Sequence, residues 1–358
     1  MDIQQIIIVF FANLLEKSYF CSIMDRRKIN YTLHSGKNNK LLFFVKGYLG
    51  RCVPSWFWRR MLKRELKRLE NHPERDNILK RVDYYCKLTK DTHYDRDAFC
   101  QKAVAIGHQP MVHPKVYYFD AIQVARYFDK DCRWVLKTGD VSELQPIPTI
   151  LKSRPIGDNN ACSILLKLNS VRHFLFVNDT TPWRSKRDAV IFRGDVGNPK
   201  DGNVKPNRVH FMERWFGQPM VDAASTDAID GHPEWHSEKI SITRHLDYKF
   251  VMSLEGNDVA TNLKWVMSSN SIAVSPRLTC ETWFMEGTLI PNYHYIEVKP
   301  DFSDLEERLQ YYITHPNEAE DIIHHAHEYV RQFYDKKRER LISLLVLQKY
   351  FNFTNSYL

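Results

Sequence analysis

The stretch Tyr248–Lys264, YKFVMSLEGNDVATNLK, decides how the rest of the chain is interpreted. Its first part, from Lys249 to Leu254, is a short and mostly apolar run, which is typical of a covered strand. Gly256 and Asn257 tolerate positive φ and predict a turn, and Asp258 is a favourable N-cap for a helix. A strand, a turn and a helix start form the place where α/β proteins bind phosphate. The alternative is an ordinary βα unit without a ligand.

The residues after the turn predict a helix with one apolar face. Its apolar positions recur at helical spacing, and they are Val259, Leu263, Val266 and Met267. Asn257, Thr261 and Lys264 then share the opposite face, which we expect to meet the ligand.

Length and composition bound the architecture. A chain of 358 residues with 43% hydrophobic and 26% charged residues predicts a folded protein of two domains. The linker-like stretch 179–186 places the boundary so that the domains are 1–184 and 185–358. The longest apolar run, Ile6–Leu15, is too short to span a bilayer and predicts a core helix or an interfacial anchor. Seven scattered cysteines without a CxxC pair indicate reduced thiols and a cytoplasmic protein.

The net charge of +8 is unevenly distributed. Between Arg51 and Arg81 there are ten Lys or Arg against four acidic residues. A helix is predicted there, opened by Pro54-Ser55, closed by Pro73, and crowded with aromatic residues at its start. Such a helix can lie in the headgroup layer of an anionic membrane. The alternative is a core helix with a solvated basic face, and no nucleic-acid-binding motif is present.

Alternating elements predict a parallel sheet. In the first region we expect strands at 116–119, 134–137 and 174–177, and helices at 121–128, capped by Asp120, and 163–168. In the second we expect strands at 189–192, 249–254, 271–274 and 295–298. Helices are expected at 207–216, from Ser303 or Asp304 through Tyr312, and twice more before the end.

Polar residues at predicted strand ends are the candidates for chemistry. Asp140 follows a strand and could act as a general base, or it could be an ordinary turn aspartate. Arg193-Gly194-Asp195 ends the first strand of the second region, and Arg208 begins a helix. Both arginines could bind a diphosphate or form surface salt bridges.

Other polar clusters favour a structural interpretation. The basic residues Lys152, Arg154, Arg172 and His173 could meet a phosphorylated acceptor, but a solvated surface is favoured. Asp129-Lys130-Asp131 matches a short metal–nucleotide pattern but follows a helix, which favours a surface turn. His324, His325 and His327 are interpreted as solvated, and no metal site is predicted.

Several segments together resemble glycosyltransferase family 90, particularly its lipopolysaccharide core transferases. The resemblance covers residues 115–336, and its segments are TGDV (138–141), KSRPI (152–156), LLKLNSVRHF (165–174), KRDAVIFRG (186–194), residues 248–272, ETWFMEG (281–287) and LIPNYHYIEVKPDFSDL (289–305).

The resemblance implies a GT-B fold, in which two Rossmann-like domains face a cleft; here an extra helical N-terminal segment precedes them. It implies a UDP-sugar donor bound mainly by the second domain, transfer with inversion, and no metal or other cofactor. Asp140 matches the base of relatives. The donor-binding residues that the resemblance implies are Asp195, Arg208, Asn257, Asp258, Val259, Ala260, Thr261 and Asn262. Four further donor-binding candidates come from the residues themselves, and they are Arg193, Gly194, Lys264 and Glu286.

Two departures from the family pattern concern the diphosphate. Asp195 replaces a serine, and Asn262 replaces an arginine that helps to hold the diphosphate in relatives. Lys264 or Arg193 is expected to compensate.

The expected function is transfer of glucose or galactose to a lipid-linked lipopolysaccharide core at the inner membrane face, to which the protein attaches peripherally. The alternatives are transfer to a protein or capsular chain, and a non-catalytic basic protein that binds membrane or nucleic acid.

Overall fold

The structure is a computed structural model that describes residues 36–355, so the apolar run Ile6–Leu15 lies outside the described residues. The helices are α1 (Lys40–Arg51), α2 (Ser55–Lys67), α3 (Arg75–Tyr85), α4 (Arg96–Lys102), α5 (Lys115–Ala125), α6 (Ser170–His173), α7 (Pro206–Trp215), α8 (Ile242–His245), α9 (Leu263–Val266), α10 (Leu305–Thr314), α11 (Pro316–Arg331) and α12 (Lys336–Thr354).

The strands are mostly short. They are β1 (Val104–Ala105), β2 (Arg133–Trp134), β3 (Thr149–Leu151), β4 (Ser153–Pro155), β5 (Ser163–Leu165), β6 (Arg187–Gly194), β7 (Gly197–Asn198), β8 (Asn203–Val204), β9 (Val221–Ser225), β10 (Tyr248–Met252), β11 (Ile272–Ser275), β12 (Cys280–Thr282) and β13 (Ile296–Glu297).

A five-stranded parallel sheet organises the second region, which confirms the predicted mixed α/β class. Its order is β13-β11-β10-β6-β9, and every neighbouring pair runs parallel. Numbered along the chain, the order is the doubly wound 2-1-3-4-5, which reverses direction between β6 and β10. Ligands of such sheets bind outside the carboxyl ends of the strands at that reversal.

The sheet forms because its strands are apolar on both faces. All five residues of β10 are buried. Ile191 and Val251 pack in one hydrophobic cluster, while their neighbours Val190 and Phe250 pack in another on the opposite face. This two-sided burial explains why continuous apolar runs, rather than alternating ones, marked these strands in the sequence.

The first region has a different construction. Its strands pair two at a time as β1–β2, β3–β5 and β4–β12, the last reaching into the second region. The β3–β5 pair is parallel and a bridge from Leu136 to Ile150 extends it. Within residues 36–355 no larger sheet forms in this region, so two facing Rossmann-like domains remain a prediction.

Four predictions in the first region are wrong. Residues 116–119, expected as a strand, lie in helix α5, whereas 163–168, expected as a helix, contains strand β5. Residues 174–177 form no strand. Asp120 does not cap a helix but lies buried within α5, where it accepts hydrogen bonds from the Ser170 amide (2.7 Å) and hydroxyl (2.8 Å). The aromatic run before Asp120 suggested a strand, but it supplies the buried side of α5.

The ends of the chain's described part join the two regions. The predicted helix near the basic segment is present as α2, with Pro54 rather than Ser55 at its N-cap. The last helix, α12, packs against α3, where Arg81 donates to Glu339 at 2.6 Å in a fully buried pair.

All six cysteines among residues 36–355 are free thiols. Within the same residues no helix has the length and apolarity to cross a bilayer.

Candidate active site

A cavity of about 540 Å³ lies where the sheet reverses direction. Its wall includes Gly194 and Asp195 after β6 and the bend at Gly256 after β10. Asp140, Val171 and Arg172 of the first region line it as well. Asp140 and the Gly256 bend therefore share one cavity, at the position where doubly wound sheets bind ligands.

Arg208, near the start of α7, fixes the shape of this wall. Its guanidinium donates to the carbonyl oxygens of Asp195 (2.8 Å), Leu254 (2.7 Å) and Glu255 (3.2 Å). A Cβ at Gly256 would lie 3.0 Å from that guanidinium, so this close approach favours glycine. Burial lowers the pKa of Arg208 to about 10, which leaves it charged at neutral pH.

Asp140 is held on the other side of the cavity by a buried lysine. Gly139, at φ 100°, turns the chain after the short extended stretch that contains Leu136. Lys152, whose side chain is 1% exposed, pairs with Asp140 and lies 2.6 Å from the carboxylate of Asp258. A single ammonium group thus joins carboxylates from the two regions.

The charges of Asp140, Lys152 and Asp258 determine which of the two carboxylates is ionised. Burial acts to raise the pKa of Asp140, but Lys152 and, more weakly, Arg172 and the Asn257 amide lower it overall. Burial raises the pKa of the more enclosed Asp258 despite the same lysine. Asp140 is therefore ionised at neutral pH and able to accept a proton.

The turn after β10 is present, but the helix predicted to start at Asp258 is not. Residues 256–259 form bends, and helix α9 begins only at Leu263, with Asn262 at its N-cap. Asp258 pairs with Lys152 instead of capping, while the Asn262 amide donates to the Met252 carbonyl at 3.0 Å. The helix start that was expected at Asp258 is therefore absent.

Most of the residues proposed from the sequence meet at the cavity. Those lining it are Asp140, Arg193, Gly194, Asp195, Arg208, Asn257, Asp258, Val259, Thr261 and Asn262. Ala260, Lys264 and Glu286 are buried outside this wall.

Neither cation expected to replace the missing arginine of the family pattern is available. Lys264 is fully buried and pairs with Glu286 at 2.6 Å, so its predicted place on one face with Asn257 and Thr261 is wrong. Arg193 pairs with Asp222 at 2.6 Å. Both charges are already neutralised by nearby carboxylates.

Arg172 is the functional candidate that the sequence analysis undervalued. It is exposed, it lines the cavity, and it makes no side-chain hydrogen bond or ion pair with any residue in 36–355. Its charge acts on both Asp140 and Arg208. The signal available in the sequence was its position within the LLKLNSVRHF segment, which resembles the family.

The sequence favoured a solvated surface for the basic residues grouped with Arg172, and this interpretation is wrong. Lys152, Arg154 and His173 are each no more than 1% exposed. Arg154 donates to Glu281 at 2.7 Å and to the Ser163 carbonyl at 2.9 Å, which fixes β4 beside β5 and β12. Lys152 and Arg154, which are buried and paired with carboxylates, stabilise the structure of the site.

The metal-like patterns remain apart from the cavity. Asp129 is exposed and pairs with Arg59 at 3.1 Å. Of the three histidines, His324 is exposed. His327 contacts the Ser269 carbonyl at 2.8 Å, and His325 stacks on the Tyr293 ring. The interpretation of these histidines as solvated is therefore correct only for His324.

Comparison with known proteins identifies the class of enzyme. The profile of glycosyl transferase family 90 matches residues 167–356, so the chain belongs to this family and is a glycosyltransferase. It is 37% identical over 317 residues to O-glucosyltransferase LpsA of Dichelobacter nodosus, covering 88% of this chain and 96% of that protein. Membership of an enzyme family sets aside the non-catalytic alternative.

Proposed function

We propose that the protein transfers a hexose from a UDP-sugar to a lipopolysaccharide core oligosaccharide with inversion, and that the hexose is glucose. The observation that carries this proposal is the shared cavity of Asp140 and the β6 and β10 ends. The name of the relative, an O-glucosyltransferase, favours glucose over galactose.

The donor is assigned mainly to the second-region wall, and Arg172 of the first region is assigned to the donor diphosphate as well. Seven Lys or Arg side chains line the cavity against three aspartates, so it attracts an anionic ligand. They are Lys37, Lys40, Arg172, Arg193, Lys205, Arg208 and Lys239. Arg193 and Lys205 are paired with Asp222 and Asp195, so we assign Arg172 and Arg208 to the charge that develops on a departing diphosphate.

Asp140 is assigned as the general base. A bond forms between the acceptor oxygen and the anomeric carbon while the bond from that carbon to the diphosphate breaks. The hydroxyl proton passes to the ionised Asp140 carboxylate, and UDP leaves with the bonding electrons. Lys152 orients that carboxylate.

We assign no metal to this scheme, because the side-chain cations that line the cavity can stabilise the leaving group without one. Transfer is therefore expected to persist in the presence of EDTA. Loss of transfer on chelation, restored by Mg²⁺ or Mn²⁺, would contradict this part of the proposal.

Localisation and domain roles belong to the same proposal. Residues 1–184 are assigned to the acceptor and 185–358 to the donor, and the protein is placed at the cytoplasmic face of the inner membrane. The basic α2 supports this placement.

Thermal unfolding with added UDP tests the donor class directly. A ligand present at about a hundred times its Kd stabilises the native state by about 2.7 kcal/mol, so UDP is expected to raise Tm and ADP to raise it less. Release of UDP from UDP-glucose, but not from UDP-galactose, in the presence of purified core oligosaccharide then tests sugar and acceptor. An equal response to a protein or capsular acceptor would contradict the assigned acceptor.

A further inference from the structure

Helix α1 exposes an apolar face that no other described residue covers. Leu41, Leu42 and Leu49 are 57%, 50% and 63% exposed. Six of the twelve large apolar side chains exposed among residues 36–355 lie between Leu41 and Phe57. Apolar residues that cluster in this way mark an interaction surface, whereas singly scattered ones do not.

The opposite face of α1 is firmly anchored. Phe43 and Phe44 contact the Phe119 ring edge-to-face at centroid distances of 6.5 Å and 5.8 Å. Gly47 packs so closely that a Cβ there would lie 2.5 Å from the same ring. Because α5 holds α1 by this face, the leucine face is directed outward by the fold.

Aromatic and basic residues continue the exposed face into α2. Trp56 and Phe57, at the start of α2, are 60% and 40% exposed. From Lys37 to Arg68 the chain carries ten Lys or Arg and a single acidic residue, Glu65, which is buried. Leucines, interfacial aromatics and an excess of cations are the composition of a surface that lies in anionic lipid headgroups.

The start of α1 also contributes to the candidate active site. Lys37, Asn38 and Lys40 line the cavity. The Asn38 amide donates to the carbonyl oxygens of Val171 and Phe174, both at 3.2 Å, on either side of Arg172. The apolar face and the cavity are therefore connected through one helix start.

We propose that α1 and the start of α2 form a surface that docks onto an anionic bilayer and holds the cavity next to it. The occupant is a lipid surface and not a second copy of this chain, because a second copy would place ten cations opposite ten. This inference deepens the membrane placement of the proposed function by naming the docking surface, and the advantage for a lipid-linked acceptor rests on that function. Vesicle binding is measured without donor, acceptor or transfer.

Vesicle co-sedimentation of the full chain tests the proposal. We expect binding to vesicles of phosphatidylethanolamine and phosphatidylglycerol that weakens with salt, and little binding to phosphatidylcholine. The Leu42→Ser/Leu49→Ser variant is expected to bind these vesicles about tenfold more weakly than wild type, since it removes apolar area from the interface. Arg60→Gln/Arg64→Gln is expected to lose a similar factor, since each cation adds attraction near an anionic surface.

Matched variants control for general effects. Leu144→Ser/Ile290→Ser removes apolar residues of similar exposure elsewhere on the protein. Lys90→Gln/Lys102→Gln removes exposed cations outside α1 and α2. Both control variants should bind the anionic vesicles as wild type does. Unchanged binding in both test variants, or equal binding to phosphatidylcholine, would overturn the proposal.

Coverage of the leucine face by residues 1–35 or by a second copy gives a different result. Leu42→Ser/Leu49→Ser would then lower Tm or dissociate a dimer without vesicles and leave vesicle binding intact, which also overturns the proposal. The UDP-induced rise in Tm and transfer to a free core oligosaccharide should survive in the docking variants. Failure of docking is thus distinguishable from failure of the proposed function.

Discussion

The two walls of the cavity are built by different means. The second-region wall is carried by the ends of β6 and β10, two strands of a regular sheet with apolar residues on both faces. The first-region wall consists of charged side chains on short segments, held by the buried Lys152 and Arg154. Continuous apolar runs therefore position the strands that carry one half of the site, and the buried ion pairs of Lys152 and Arg154 position the other.

Replacement of Lys152 should produce the largest effect on stability. Lys152→Met leaves Asp258 buried without a counter-charge, and breaking a buried pair in this way costs about 3–5 kcal/mol. The matched change on the other wall is Lys205→Met, since Lys205 pairs with Asp195, which is 39% exposed. That variant should lose about 1 kcal/mol or less.

Urea denaturation of both variants measures the difference. Equal losses in the free energy of unfolding would show that the two walls do not differ in their dependence on buried charge. The double variant Lys152→Met/Asp258→Asn should recover part of the stability, because it no longer buries an unpaired carboxylate.

The two arginines of the cavity offer a second contrast. Arg172→Ala should weaken UDP binding about tenfold, as expected for one charge-assisted contact, while stability stays within about 0.5 kcal/mol. Arg208→Ala should reduce both UDP affinity and stability, because it removes the guanidinium that donates to the carbonyl oxygens of Asp195, Leu254 and Glu255.

Calorimetric titration with UDP and thermal unfolding separate these effects. Arg184→Ala is the control, since Arg184 is exposed, pairs with Glu320 and does not line the cavity. Undiminished UDP affinity in Arg172→Ala would remove Arg172 from the donor site.

The pH dependence of transfer should show a smaller effect of Lys152. Because the pKa of Asp140 is lowered, its carboxylate stays ionised below the usual range for aspartate, which is about 4. Activity that depends on this base should therefore persist as pH falls into that range. In Lys152→Gln the pKa of Asp140 rises, so the acidic limb of kcat/KM should move to higher pH.

Lys152→Arg keeps the positive charge and should leave the limb close to its wild-type position. An acidic limb that does not move in Lys152→Gln would show that another group titrates.

The difference between the walls also explains what could be predicted from the sequence. The strands around Val190, Phe250 and Val274 were correctly predicted because their apolar runs are buried on both sides of one sheet. The helices near 207–216 and after Asp304 were correct because they carry ordinary helix signals.

The first region was less predictable because its elements depend on distant partners. Strand β5 is three residues long, and the carbonyl oxygen of its first residue, Ser163, accepts a hydrogen bond from Arg154. Asp258 looked like an N-cap because its buried partner, Lys152, is far away in sequence. The sequence signals identified Asp140 and the Gly256 bend, but not the ion pairs that join them.

The measurement that tests the central claim most directly is transfer by Asp140→Asn, with UDP binding measured on the same preparation. The account predicts that the isosteric change lowers kcat by at least about a hundredfold, as loss of a general base does, while UDP raises Tm as in wild type. Transfer at the wild-type rate would contradict the assignment of the base. Loss of UDP binding together with transfer would contradict the assignment of donor and base to opposite walls of one cavity.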